Sequence, residues 1–478
     1  MKKLRKLGNS VLLLFLALTI GATGAWAAEY RKVNDATLSK YKKWIDDPAP
    51  LNKVLPYSKV LPPDVYAKLT WDIPTMQKTW EEVVGFKAPD VVGKIAPEIK
   101  PGKYTYQDME RLPGLKELMI PYYRDYAFKP AGPPWVANFS EITIIPTRQY
   151  YYQLPVAEAT KKNMGKTKLN DQGYILDESY EGGLPFPRPS GAFKAQEILY
   201  NVVKRYLNSE SDDSTGQFKG YNKNLKMDFD GLIEQKVLRL AKRVVIPPLG
   251  YIDDRARTRK EENGILLGYV APRDQAGTAL QLVTFEQAEK FDAMNLYIGV
   301  LRRIRQMSTT DTQDALGGQD VIYDDNRGFS GLTPTRWPWK AEVIGDREYL
   351  APTTTDGSIY FSSKGMELRN VEMERRPCWV VKMTQQDKNY VYSYKILYID
   401  KETLLWYLYE SYDQKGRLYR TGHEIRTFIP EMGMHAQRVV WNRDHVDLHS
   451  SFALPFLTPM YYMGRADVGL EGLIKQGR

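Results

Sequence analysis

The four histidines of this 478-residue chain all lie late in the sequence, two of them in the segment NRDHVDLHS. That segment places His445, Asp447 and His449 at alternate positions, so they would share one face of a β-strand. Two imidazoles and a carboxylate form a donor set that suits zinc and similar metals. An exposed polar strand produces the same alternation. We therefore predict that the protein binds no metal or other cofactor. The alternative is a metal site formed by His445, Asp447 and His449.

Carboxylates are concentrated in the segment STTDTQDALGGQDVIYDDN, and two facing carboxylates could hydrolyse a glycoside. Turns are also rich in Asp, and nothing in the sequence brings two of these groups together across a cleft. The chain has no HExxH, GxSxG, paired CxxC or Gly-rich phosphate loop. We predict no catalytic residues and no enzymatic activity. The acidic residues of the segment are Asp311, Asp314, Asp320, Asp324 and Asp325.

Residues 1–27 have the pattern of a cleaved secretory signal. Basic residues come first, an apolar run from Val11 to Ile20 follows, and small residues precede position 28. The run is shorter than the roughly 20 apolar residues that span a bilayer. The single cysteine, Cys378, lies far from the cleavage point, so it is not a lipid anchor, and it has no partner for an intramolecular disulfide. These features predict an exported, periplasmic protein with no transmembrane helix after cleavage.

The charge distribution argues against a nucleic-acid partner. Part of the formal net charge of +9 belongs to the signal, and the other basic residues are dispersed along the chain. One cluster stands out, at Arg302, Arg303 and Arg305. It could be a solvated strand edge that prevents aggregation. Alternatively, it could contact an acidic headgroup or an acidic partner.

Prolines and apolar periodicity divide the chain into two regions. Residues 28–190 contain helical pieces, as at 64–86, separated by Pro-rich connections. GGLPFPRPSG leads into an amphipathic helix whose Ile198, Leu199 and Val202 should pack on a sheet. From about residue 225, short alternating runs between turn residues predict antiparallel strands.

The most aromatic stretch is a predicted strand pair between Tyr390 and Arg420. Alternation places Tyr392, Tyr394 and Tyr398 on one face of the first strand, and Asp400 begins the turn to the second strand, which carries Trp406. Both faces of the pair are apolar or aromatic. A sheet with one wet face would alternate more cleanly, so both faces should be covered.

Two segments resemble a known family. LYIGVLRRIRQMSTTDTQDALGGQDVIYDD is similar to the signature of periplasmic outer-membrane lipoprotein-sorting proteins, and YKILYIDKETLLWYLYESYDQKGRLYR is similar to their late hairpin. The wider context, including GGLPFPRPSG, resembles the domain of unknown function 1329. The resemblance implies a LolA/LolB-like incomplete barrel with an apolar cavity, in a family without assigned catalytic residues. It also implies handling of lipids or other hydrophobic molecules, in some members alongside efflux-type transporters.

The expected fold class is α+β: a strongly curved antiparallel β-sheet, forming an incomplete barrel, with helices packed in its concave side. A long helical and Pro-rich N-terminal segment precedes it. The expected division is a signal at 1–27, an N-terminal segment at 28–190 that wraps the sheet, and a sheet domain at 191–478.

The expected function is that of a non-enzymatic carrier of a lipid or other hydrophobic molecule in the cell envelope. Its expected partner is an envelope transporter or outer-membrane protein, with transient membrane contact at most. The alternative is a carbohydrate-active protein that uses aromatic platforms. The expected ligand contacts are aromatic side chains, for which packing in the core is the competing interpretation: Tyr392, Tyr394, Trp406, Trp337 and Trp339.

Overall fold

The computed structural model describes residues 57–130, 137–206, 209–224, 226–271, 276–298, 301–307, 312–313, 320–329, 338–355, 359–362, 365–457 and 463–476. The predicted signal at 1–27 and the residues Asp311, Asp314 and Trp337 lie outside these ranges. The predicted boundary between residues 190 and 191 stays a prediction.

The helices are short, and several begin at a proline, whose fixed φ suits the first helical turn. The longest begins after Asp72, which accepts a hydrogen bond from the Thr75 amide at 3.0 Å, and it ends at Gly85 with φ 92°. The helices are α1 (Tyr57–Val60), α2 (Pro63–Lys68), α3 (Ile73–Val84), α4 (Ala88–Val91), α5 (Asp108–Arg111), α6 (Pro113–Leu118), α7 (Leu154–Asn163), α8 (Lys194–Val203), α9 (Asp254–Arg259), α10 (Arg465–Val468) and α11 (Leu470–Gln476).

The strands lie mainly after residue 210, as predicted from the alternating pattern. They are β1 (Gly102–Thr105), β2 (Ala137–Asn138), β3 (Glu141–Ile144), β4 (Ser211–Tyr221), β5 (Met227–Arg239), β6 (Glu261–Ala271), β7 (Ala279–Phe285), β8 (Ala293–Ile298), β9 (Arg303–Met307), β10 (Trp339–Thr355), β11 (Ile359–Ser362), β12 (Gly365–Leu368), β13 (Val371–Gln385), β14 (Tyr394–Asp400), β15 (Trp406–Tyr412), β16 (Leu418–Ile429), β17 (Met434–Asp444) and β18 (His449–Leu457).

Fifteen of these strands form one curved, unclosed sheet. Its order is β1-β3-β13-β14-β15-β16-β17-β18-β4-β5-β6-β7-β8-β9, and β10 pairs with the other edge of β13. The pairs are antiparallel except β3 with β13, which is parallel. A small second sheet contains β11, β12 and β2. The predicted fold class, a large curved sheet with a helical N-terminal segment, is confirmed.

The predicted strand pair is the β14–β15 hairpin, and its turn forms where Asp400 indicated. The Asp400 carboxylate accepts hydrogen bonds from the amides of Glu402 at 2.7 Å and Thr403 at 2.9 Å. This side-chain bonding to the following backbone is the usual reason why Asp starts a turn.

Both faces of the sheet are covered around β13–β15, as expected. We name the faces by the side chains of these strands. Face A carries Cys378, Val380, Tyr398 and Leu408, and face B carries Trp379, Val381, Leu397, Trp406 and Tyr409. The chain between Ile99 and Phe128 packs on face A. Helices α3, α7 and α8 pack on face B, with Ile198, Leu199 and Val202 of α8 buried as predicted.

A buried ion cluster fastens the N-terminal segment to the sheet. Arg376 of β13 is fully buried and donates hydrogen bonds to Asp400 and Glu402, each at 2.7 Å. The Glu402 carboxylate also accepts the amides of Ala88 and Tyr150, each at 2.8 Å. One guanidinium thus connects β13, the β14–β15 turn and two separate parts of the preceding chain.

Replacing Arg376 by methionine should lower the free energy of unfolding by about 3–5 kcal/mol, because it leaves buried carboxylates without a cation. Urea unfolding followed by circular dichroism measures the change. The control is Arg111→Met, which removes the exposed ion pair with Asp108 and should cost at most about 1 kcal/mol. Equal losses in the two variants would contradict the role assigned to Arg376.

Candidate functional site

A row of polar side chains crosses face B over five neighbouring strands. Each member lies opposite the next in the strand register of β14 to β18. Buried charges are costly unless they are paired, so a row of this kind needs partners above it. We call it the polar row; its members are Lys395, Ser411, Arg420, Asp444 and His449.

The partners come from residues 320–329, which we call the acidic strap. The strap includes a 3₁₀ turn at Tyr323–Gly328. Lys395 forms a fully buried ion pair with Asp325 and donates to the Gly328 carbonyl at 3.1 Å. Tyr392 donates to the other oxygen of Asp325 at 2.7 Å. The strap is therefore fixed to the sheet by charged hydrogen bonds.

His449 binds the other end of the acidic strap through Asp320. Its Nδ1 lies 2.7 Å from an oxygen of Asp320 in the strap, and its Nε2 lies 3.0 Å from both oxygens of Asp228 in β5. Burial lowers the pKa of His449, but the hydrogen bonds with Asp228 and Asp320 outweigh burial and raise that pKa to about 10. The imidazole is thus a cation held between two carboxylates.

Beyond the strap, face B continues as an apolar surface on β5 to β9. β4 connects the polar row to this surface on face B. Ser451 of β18, the strand that carries His449, lies opposite Gly220 of β4, and Gly220 lies opposite Phe229 of β5. We call this surface the apolar face. The register places the following side chains on it, most of them half-buried: Phe229, Ile233, Val237, Ile265, Leu267, Tyr269, Leu280, Leu282, Met294, Leu296 and Met307.

The opposite face of the same strands is closed. Leu473 of α11 is fully buried against Leu266, Ala279 and Tyr297 on face A. Val468 of α10 packs nearby. The two faces of β5–β8 thus differ: face A has a helical cover, whereas face B keeps apolar side chains partly open to solvent.

The family model for "Protein of unknown function (DUF1329)" matches residues 136–453, which contain the polar row, the strap and the apolar face. The chain belongs to the DUF1329 family. The predicted resemblance to domain of unknown function 1329 is thereby confirmed. Among curated proteins, none matches the chain.

Several solved structures align with part of this DUF1329 protein. A candidate outer membrane lipoprotein-sorting protein domain from Vibrio parahaemolyticus is 17% identical, with 59% of this chain and 100% of that chain covered and a TM-score of 0.41. A DUF1329 family protein from Desulfovibrio piger is 15% identical, with coverages of 56% and 93% and a TM-score of 0.39. A LolA superfamily protein from Nitrosomonas europaea is 12% identical, with coverages of 57% and 97% and a TM-score of 0.36.

The aromatic residues expected to bind a ligand occupy different surroundings. Tyr392 and Trp406 are buried, both next to the acidic strap. Tyr394 is half-buried on face A, where it stacks on Tyr412 at 4.3 Å. It does not share a face with Trp406, because the pairing of β14 with β15 is irregular after Tyr398. Trp339 is half-buried at the start of β10.

The predicted histidine strand is wrong. β17 ends at Asp444 and β18 begins at His449, so His445 and Asp447 lie in the turn between them. His445 hydrogen-bonds Thr421 at 3.1 Å, whereas His449 bonds Asp320 and Asp228. In the described ranges, no three His, Cys, Asp or Glu side chains are grouped to hold a metal ion. No helix there is long and apolar enough to cross a membrane.

The basic members of the polar row and the apolar face are not predicted from the sequence. Lys395 and Arg420 were not singled out, because a lysine or arginine in an alternating strand normally faces water. The alternating runs after residue 225 predict strands, but alternation does not indicate which face of a strand stays open. Asp320, Asp324 and Asp325 did attract attention, as candidate acids; the structure makes them anchors of the strap.

The detected cavity is small. It measures about 20 Å³ and lies between the aromatic and polar side chains of Tyr150, Tyr407, Arg426, Phe428 and His435. That volume holds about one water molecule. A lipid tail would therefore not fit in this cavity.

At pH 8, His449 should be an imidazolium while the other three histidines are neutral. Burial lowers the pKa of His435 and His445 to about 3 and that of His423 well below its usual value. A ¹⁵N spectrum of histidine-labelled protein should show one charged ring, absent in His449→Gln. Four rings titrating together near pH 6.5 would contradict the arrangement.

The raised pKa of His449 also predicts how the free energy of unfolding depends on pH. Because the folded-state pKa of His449 is above the unfolded value, its stabilisation is complete below pH 6.5 and is lost as pH rises towards 10. The upper limit is about 5 kcal/mol, at about 1.4 kcal/mol per pKa unit. Urea unfolding of wild type between pH 7 and 10 should show this decline, and His449→Gln should reduce it.

Proposed function

We propose that this DUF1329 protein is an exported, non-enzymatic binding protein that carries a lipid or another hydrophobic molecule in the cell envelope. The observation that carries the proposal is the apolar face of β5–β9, where aliphatic side chains remain half-open although the reverse face is sealed by α10 and α11. Soluble proteins rarely expose large contiguous apolar surfaces without a binding role.

The arrangement of the side chains suits an elongated apolar ligand. Leu267, Leu280 and Leu296 lie opposite one another on successive strands, and Ile265, Leu282 and Met294 form a parallel line. Neighbouring strands are about 4.8 Å apart, so each line spans about 10 Å. Each buried methylene contributes about 0.8 kcal/mol, and such a ligand therefore needs no charged anchor.

The aromatic contacts stay part of the proposal in a secondary role. Tyr392 and Trp406 would reach a ligand only after the acidic strap moves, since both lie beside it. Tyr394 and Trp339 are half-buried and remain candidates, and so does Trp337, which lies outside the described residues. A sugar platform needs exposed rings, and the burial of Tyr392 and Trp406 favours a hydrophobic ligand over a carbohydrate.

The cellular setting follows from the N-terminal pattern. Residues 1–27 direct export, and the carrier then works in the periplasm. An envelope transporter or an outer-membrane protein would deliver or accept the cargo. A carrier needs no catalytic group, which agrees with the structural use of Asp320 and Asp325 in the strap.

Substituting Leu280 by glutamate should weaken binding of the neutral fluorescent probe N-phenyl-naphthylamine at least about tenfold, because a carboxylate would stand within the leucine line. Fluorescence titration measures the affinity, and thermal melting checks the fold. The matched control is Ile344→Glu, at a 50% exposed position of β10, which pairs with β13 and not with the strands of the apolar face; this variant should bind as wild type. Absence of binding by wild type, or equal affinities of the two variants, would refute the proposal.

A further inference from the structure

Among the strands that the structure describes, β9 is the last of the sheet and forms its edge. It pairs with β8, and all five of its residues, Arg303–Met307, are exposed. Natural sheets often protect such edges with charged residues. Here the edge combines charge with exposed aliphatic side chains, which charge protection alone does not require.

The register of β9 shows where each side chain points. Arg305 lies opposite Leu296 and Met307 lies opposite Met294, so both continue the lines of the apolar face. Ile304 projects on face A and is 37% exposed. Leu301, just before the strand, is 49% exposed. Aliphatic side chains therefore project on both sides of the same edge.

The guanidinium groups at this edge are available. Arg302, Arg303 and Arg305 are exposed, and none forms an ion pair with any residue in the described part of the chain. Several arginines elsewhere on the sheet do form ion pairs, such as Arg376 with Asp400 and Arg420 with Asp444. The edge thus presents a concentration of unneutralised positive charge.

We propose that Leu301 and β9 form a docking surface for the anionic face of a phospholipid bilayer. Arginines at the level of phosphate groups and aliphatic side chains inserted between the lipids are the two components of interfacial binding. An isolated headgroup would account for the arginines but not for Leu301 and Ile304. The aliphatic residues on both sides of the edge therefore favour a bilayer.

The position of this edge suits transfer of a ligand between the apolar face and the bilayer. This part of the inference rests on the proposed carrier function. The leucine line ends at Leu296, directly opposite Arg305. A hydrophobic molecule leaving the apolar face across β9 would enter the bilayer without crossing water. Docking itself does not depend on the cargo, so the two proposals can be tested separately.

The test uses protein purified after export, and co-sedimentation with mixed phosphatidylglycerol–phosphatidylcholine vesicles compared with pure phosphatidylcholine vesicles. Wild type should bind the anionic vesicles, and binding should fall with salt because the attraction is screened. The double substitution Arg303→Glu/Arg305→Glu should reduce binding about tenfold or more. Leu301→Ser/Ile304→Ser should also reduce it while leaving the charge unchanged.

The control for net charge is Lys223→Glu/Lys388→Glu, two exposed lysines away from β9, which should leave vesicle binding intact. Equal loss in this control, or wild-type binding by Arg303→Glu/Arg305→Glu, would overturn the docking surface. Thermal melting verifies that each variant is folded.

Binding of N-phenyl-naphthylamine separates the two proposals. Leu301→Ser/Ile304→Ser, whose two positions do not belong to the apolar face, should keep the probe and lose the vesicles, whereas Leu280→Glu should lose the probe and keep the vesicles. If wild type binds the probe but ignores anionic vesicles, the docking inference fails and the carrier proposal stands. If wild type binds anionic vesicles but not the probe, the carrier proposal fails and the docking inference stands.

Discussion

The buried guanidinium of Arg376 is the interaction on which the rest of the structure depends. It neutralises Asp400 and Glu402 where β13 meets the β14–β15 turn, and Glu402 in turn holds the amides of Ala88 and Tyr150. Without a cation there, those carboxylates could not remain buried. The N-terminal segment would then lose its attachment at two points, and with it the covers that it contributes to both faces of the sheet.

This attachment divides one continuous sheet into regions with different surroundings. Around β13–β15 both faces are packed, by the N-terminal segment and by α8. Across β14–β18 face B is polar and carries the acidic strap. On β5–β9 face B is apolar and half-open. The proposed binding surfaces thus lie at the end of the sheet farthest from Arg376.

The features predicted well from sequence depend on local patterns. Alternation identified the strands, Asp400 identified a turn, and the apolar stripe of α8 identified its buried face. The failures involve long-range contacts. The irregular pairing after Tyr398 moves Trp406 to the face opposite Tyr394, and Lys395 is buried only because Asp325, seventy positions away, lies over it. No local spacing encodes either event, and the open side of β5–β9 depends equally on where distant helices pack.

The surroundings of the histidines have a consequence for how the protein senses acidity. His423, His435 and His445 stay neutral and His449 stays charged through the middle of the pH scale, so imidazoles give this chain no buffering there. Proton uptake in that range falls instead to carboxyl groups. Burial raises the pKa of Glu402 to about 7, against the opposing effect of Arg376. Burial also raises the pKa of Asp177 to about 6. One of the groups that exchange protons near neutrality is therefore the carboxyl group of Glu402, which joins the N-terminal segment to the sheet.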